Sequence, residues 1–155
     1  EVETQAFNAH FGRALPLFLE MVGLDEAESV VLLMGSYADT VSEAVARWRA
    51  AGRSVGLVRL VSFRPFPESL LAITLAPMTS VIVMERADTL STLGGPLGVE
   101  VRAALYHGGP RPAVTDVIFG LGGRELREHD LEQVAQMLEV GAIGGVRYLG
   151  VGDDL

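Results

Sequence analysis

The stretch 29–34 constrains this chain's fold more than any other. Val30, Val31, Leu32, Leu33 and Met34 follow one another without alternation, and the run stops at Gly35 and Ser36. A strand apolar on both faces is stable in the middle of a sheet covered by helices on both sides. The next residues carry the complementary pattern. Val41, Ala44, Val45 and Trp48 recur at the i, i+3, i+4, i+7 spacing of an amphipathic helix, which predicts a helix over 40–51. Thr40 and Glu43 are spaced as a capping box, and Gly52 stands where a helix stops. Trp48, on the apolar stripe, reads as core.

The unit repeats. Residues 54–61 read as a second strand, broken by Pro65 and Pro67, and Pro67 suits the first position of a short helix to about Leu75. Residues 80–84 form the next apolar run. Leu97, Val101, Ala104 and Leu105 then share a helix face, with Gly108, Gly109 and Pro110 as its stop. Residues 113–119 read as a fourth strand, Leu131, Val134, Ala135 and Leu138 mark a last helix, and 146–151 a final short strand. Strands alternating with helices predict a three-layer α/β/α domain around a mainly parallel, mixed sheet of about five strands. Residues 1–28 break the rhythm. Phe7, Phe11 and Phe18 fit one helix face, but Gly12 and Pro16 interrupt it, so this segment is expected to be a connector and 29–155 the domain.

Length and composition narrow the function. The 155 residues suffice for one core, and 49% are hydrophobic, which excludes a disordered chain. The net charge of −8 argues against nucleic acid or an anionic membrane surface as partner. No cysteine is present, so a disulfide framework, a thiolate zinc site, a cysteine nucleophile and cysteine-held iron–sulfur clusters are excluded from this chain. The same absence fits a reducing, cytoplasmic setting. The apolar runs are far shorter than the ~20 residues of a spanning helix. A start at Glu1 rather than methionine reads as a cut in a longer polypeptide.

In parallel sheets ligands gather at the carboxyl ends of strands. Three of the four ends carry an arginine (Arg64, Arg86 and Arg124), which could fork around a carboxylate or phosphate, or pair with neighbouring carboxylates or another domain. Phosphate-loop and dinucleotide fingerprints are missing. Gly94 and Gly95, and Gly120, Gly122 and Gly123, read as turns. Ser36 lacks the flanking glycines of a nucleophile elbow and reads as a cap or turn residue. His10, His107 and His129 are too scattered for a metal site. The residues themselves describe an α/β module with no catalytic residue and no metal site of its own.

Taken in order, the strand ends resemble a known family. Asp25, Glu26, Ala27 and Glu28 lead into the first apolar run, which ends at Gly35-Ser36. Gly52, Val55 and Gly56 precede Arg64-Pro65-Phe66-Pro67. Val83, Glu85 and Arg86 precede Gly94-Gly95-Pro96-Leu97, and Gly120-Leu121-Gly122-Gly123-Arg124 closes the series. Over roughly 11–151 this is similar to the second, transketolase C-terminal-like domain of pyruvate:ferredoxin/flavodoxin oxidoreductases, with Glu85 where an aspartate is usual. The resemblance implies a parent enzyme that oxidatively decarboxylates a 2-oxoacid, pyruvate by its loop type, to acyl-coenzyme A and CO2. That parent uses thiamine diphosphate, magnesium, iron–sulfur clusters and coenzyme A as substrate, and reduces ferredoxin or flavodoxin. The diphosphate motif and cluster cysteines would lie in other domains; Gly152, Asp153 and Asp154 lack the rest of such a motif. This domain would contact other domains or subunits and could self-associate. Ser36, Arg64, Glu85, Arg86 and Arg124 are its candidate interface or anion-binding residues. Gly35, Pro65, Phe66, Pro67, Pro96 and the loop glycines are its architectural ones. Two alternatives stay open: a transketolase or dehydrogenase-E1 parent, and a free-standing anion- or nucleotide-binding module.

Overall fold

In a computed structural model the described residues are 1–90, 93–106, 111–141 and 144–151. The expectations for His107, for Gly108, Gly109 and Pro110, and for Gly152, Asp153 and Asp154 lie outside them. The elements run α1 (Val2–Phe11), β1 (Leu19–Val22), β2 (Ser29–Met34), α2 (Tyr37–Ala50), β3 (Val55–Leu60), α3 (Glu68–Leu75), β4 (Ser80–Glu85), α4 (Pro96–Tyr106), β5 (Ala113–Ile118), a 3-10 turn (Leu121–Gly123), α5 (Glu128–Val140) and β6 (Gly145–Tyr148). One six-stranded sheet has the order β1-β3-β2-β4-β5-β6. All its pairings are parallel except β1 with β3.

The unbroken apolar runs do what their composition requires. Val31, Leu33, Leu57, Ile82, Met84 and Val117 point to one face, against Val41, Ala44, Val45 and Trp48 of α2 and Leu131, Val134 and Ala135 of α5. Val30, Leu32, Val58, Leu60, Val81 and Val83 point to the other, against Leu71 and Leu75 of α3 and Leu97, Val101 and Leu105 of α4. Because successive side chains alternate faces, a strand that feeds both cores cannot contain the polar half of an amphipathic pattern. Three layers result.

The sheet has one strand more than the count of about five. The sixth is β1, in the stretch read as a connector, where only Leu19 is buried. Helix α2 begins at Tyr37, three residues before the Thr40–Glu43 box, with Ser36 at its N-cap position and no side-chain cap. Its far end is as expected. Gly52, with φ 89°, lets its own N–H reach the Arg49 carbonyl and that of Arg53 reach Trp48, the paired bonds of a Schellman stop. Helix α1 ends at Gly12 and buries none of its residues, while Phe18 lies beyond it and packs under the α3–α4 layer.

Candidate functional site

The order of the strands marks one place on the sheet. From β2 the chain crosses to β3 on one side, and β4, β5 and β6 build outward on the other. The carboxyl ends of β2 and β4 are therefore the topological switch point, where connections diverge and leave a crevice. A cavity of about 400 Å³ occupies it, lined among others by Ser36, Tyr37, Glu85, Arg86, Leu97 and Phe119. A larger hollow of about 770 Å³ lies between α1 and the edge of the sheet, near Arg59. Since α1 buries no side chain, the smaller cavity is the better formed.

Behind that cavity two carboxyl groups are buried together. Glu85, the last residue of β4, is 6% exposed, and Asp116 of β5 is fully buried. The register pairs Glu85 with Ile118 and Val83 with Asp116, so the two acids are diagonal neighbours on the α4 face. Helix α4 starts directly over them. Glu85 accepts from the N–H of Leu97 at 2.9 Å through one oxygen and from that of Gly98 at 2.7 Å through the other. Asp116 Oδ2 accepts from the N–H of Gly95 at 2.8 Å. These are amides that the first turn of a helix leaves without a partner in the helix itself. Arg102, one turn further along α4, stands 3.9 Å from Asp116 Oδ2 and donates to the Leu93 carbonyl at 2.9 Å.

The glycines of this loop have a reason beyond the turn. A Cβ on Gly94 would fall 2.1 Å from Asp116 Oδ2, one on Gly95 2.3 Å from the Glu85 carboxyl carbon, and one on Gly98 2.3 Å from Asp116 Oδ2. The carboxyl groups occupy the volume that side chains here would need. Burial is the main force on both acids. It pushes the Glu85 carboxyl up to about 7, with the Leu97 and Gly98 amides opposing and the Asp116 charge adding to the rise. It raises Asp116 too, against the pull of the Gly95 amide and Arg102.

The structure brings Gly35, Ser36, Glu85 and Arg86 around one cavity and places Arg64 and Arg124 outside its lining. Arg86 lies over the Tyr37 ring, 5.2 Å from its centroid, and its Nη2 donates to the Gly120 carbonyl. Arg64 pairs with Glu100 of α4 and stacks on Phe63. Arg124 donates to the Gly150 carbonyl. The three arginines thus have separate settings rather than one fork. Phe66 packs edge-on against Phe63 in the α3–α4 layer, and Pro67 is the N-cap residue of α3.

Sequence reasoning passed over Asp116 and Gly98. A signal existed: an aspartate inside the apolar run 113–119 must either be paired or disrupt the strand.

This arrangement defines a class, the doubly wound α/β domain of transketolase C-terminal type. A solved structure described as a split-gene transketolase, inactive β4 tetramer, superposes with a TM-score of 0.60 at 22% identity, over 84% of this chain and 44% of that one. The model of pyruvate:ferredoxin oxidoreductase core domain II matches residues 27–131, and the chain belongs to that family. Pyruvate synthase subunit PorA of Methanosarcina barkeri is 31% identical over 139 residues, 90% of this chain and 34% of its own length. Ketoisovalerate oxidoreductase subunit VorA of Pyrococcus abyssi is 35% identical over 130 residues, 84% of this chain and 33% of its own. The chain thus spans about a third of the length of these relatives. Among the described residues, no helix is long and apolar enough to cross a membrane.

Proposed function

We propose that this chain serves as the second core domain of a cytoplasmic 2-oxoacid oxidoreductase and holds its parts together without making or breaking bonds itself. The observation that carries this reading is how its buried acids are used. The carboxyl groups at the switch point are engaged by the backbone amides of Gly95, Leu97 and Gly98, which makes them fasteners of a helix. On this reading the thiamine diphosphate and magnesium that the family implies are held elsewhere, because the buried acids here are committed to the backbone amides at the start of α4. No group of three histidine, aspartate or glutamate side chains among the described residues could hold a metal, and the sequence has no cysteine for a cluster. No step of the reaction is placed on this chain, and those groups belong to other domains or subunits. When bound there, thiamine diphosphate supplies the carbanion chemistry.

An interaction role has its own support. Helix α3 carries apolar side chains all round: Leu71 and Leu75 are buried, while Leu70 and Ile73 stand out at 40% and 73% exposure. A helix apolar on its outer face is suited to contact with another domain, subunit or second copy.

On this reading the complete enzyme converts pyruvate and coenzyme A to acetyl-coenzyme A and CO2, and passes two electrons to ferredoxin or flavodoxin. The test is to purify the complete protein with its companion subunits and assay carrier reduction. Pyruvate, 2-oxoisovalerate and 2-oxoglutarate are compared, each with and without coenzyme A. Coenzyme A-dependent reduction, fastest with pyruvate, is expected. Ketol transfer between sugar phosphates without carrier reduction would overturn the reading in favour of a transketolase parent.

A further inference from the structure

We propose that Glu85 and Asp116 hold a single proton between them, and that this proton pins the start of α4, one wall of the switch-point cavity, to the sheet. Ionised carboxylates only accept, and two of them side by side repel. Glu85 and Asp116 are buried diagonal neighbours on one face of adjacent strands, and the Asp116 charge works against ionisation of Glu85. Three of their four oxygens already receive backbone N–H groups, and Asp116 Oδ1 is the one buried side-chain polar atom among the described residues without a partner. A proton on either carboxyl turns the repulsive contact into a hydrogen bond.

The surroundings favour one proton rather than none or two. The charged and titratable groups facing the pair are Arg102 from α4, Asp88 from the loop after β4 and Tyr148 from β6, whose hydroxyl donates to Asp88 at 3.0 Å. With one proton the pair keeps one negative charge, which Arg102 and the amino end of α4 balance. Two charges would exceed that compensation, and Asp88 adds to the repulsion. The glycines let the loop and the start of α4 close directly onto both acids, since a Cβ on Gly94, Gly95 or Gly98 would fall within 2.1 to 2.3 Å of a carboxyl atom.

Pro96 and Leu97 open α4 and also line the cavity with Glu85 and Arg86. The residues that fasten the helix therefore set the shape of the crevice, and losing the proton loosens both. The sign follows from burial. The native pair keeps its proton from about 4.5, where an exposed glutamate has released half of its own, up to about 7. Across that window the native state binds more protons than the opened one, so the closed form weakens as pH rises and levels off above it.

Hydrogen exchange on the complete protein tests this, read as protection factors of the amides at 95, 97 and 98 between pH 5 and 8. In the wild type protection falls by up to about tenfold per pH unit toward pH 7 and then flattens. Asp116→Asn is the telling variant. Its carbonyl still accepts from Gly95, and its amide, in place of the orphaned oxygen, donates permanently to Glu85. It is expected to stay protected with no slope. Glu85→Gln keeps only one oxygen for the Leu97 and Gly98 amides, so its protection is lower at every pH and also flat. Wild-type protection that does not change with pH, or a wild-type slope retained in both variants, overturns the proposal.

Discussion

The two ends of β4 solve the same problem in opposite ways. At its amino end Ser80 is buried beside Ser29 of β2, its register partner, and donates a hydrogen bond to the Ser29 hydroxyl at 2.8 Å. At its carboxyl end Glu85 is buried beside Asp116 of β5. A hydroxyl donates and accepts, so two serines satisfy one another at any ordinary pH. Two carboxyl groups cannot do so without a proton, and they also need the amides of a helix start. The serine pair therefore fixes strand to strand alone, whereas the acid pair joins sheet, loop and helix and draws three glycines into its requirements.

Substitutions at the two ends separate these solutions. The largest effect is expected from Gly95→Ala, because its new methyl would lie 2.3 Å from the Glu85 carboxyl carbon and 2.4 Å from the Ala87 carbonyl oxygen. Forcing these apart should cost about 3 kcal/mol, read from denaturant unfolding. A loss below about 1 kcal/mol would mean that the acids do not set the course of this loop. At the amino end Ser80→Ala should cost about 1 kcal/mol, equally at pH 5 and pH 8, and adding Ser29→Ala should restore most of it. A pH-dependent loss there would erase the contrast between the two ends. The smallest effect belongs to Arg64→Ala. Its ion pair with Glu100 is exposed, so less than about 1 kcal/mol is expected, fading further in high salt.

The parts of the fold legible in sequence are those whose burial is two-sided or strictly periodic. Strands β2, β3, β4 and β5 and helices α2, α4 and α5 lie within a few residues of where apolar runs and stripes put them. Strand β1 gave no such signal, because its burial is confined to Leu19 and its pairing depends on β3, far along the chain. The start of α2 was misplaced because Thr40 and Glu43 have capping spacing, yet the helix begins at Tyr37 without a side-chain cap. Of the site, Glu85, Arg86 and Ser36 were legible from their positions at strand ends. Asp116 was hidden because its partner is 31 residues away in sequence, and the two become neighbours only through the β4–β5 register. Gly94 and Gly95 read in sequence as turn residues; clearance for a carboxyl group cannot be seen before the sheet is assembled.

The antiparallel course of β1 also decides how this domain can be wired. Leu19 sits beside Leu60, at the carboxyl end of β3, and Val22 beside Leu57. The chain therefore comes into the sheet from the cavity side. At the opposite edge β6 runs parallel and finishes with Tyr148 beside Ile118, on that same side. The segments just before β1 and just after β6 therefore both lie on the side of the sheet that holds the crevice. Tethering turns an encounter between separate molecules into one within a molecule, at an effective concentration of order millimolar for a short linker. Even a weak contact made at that face by a covalently attached neighbour would then be largely occupied.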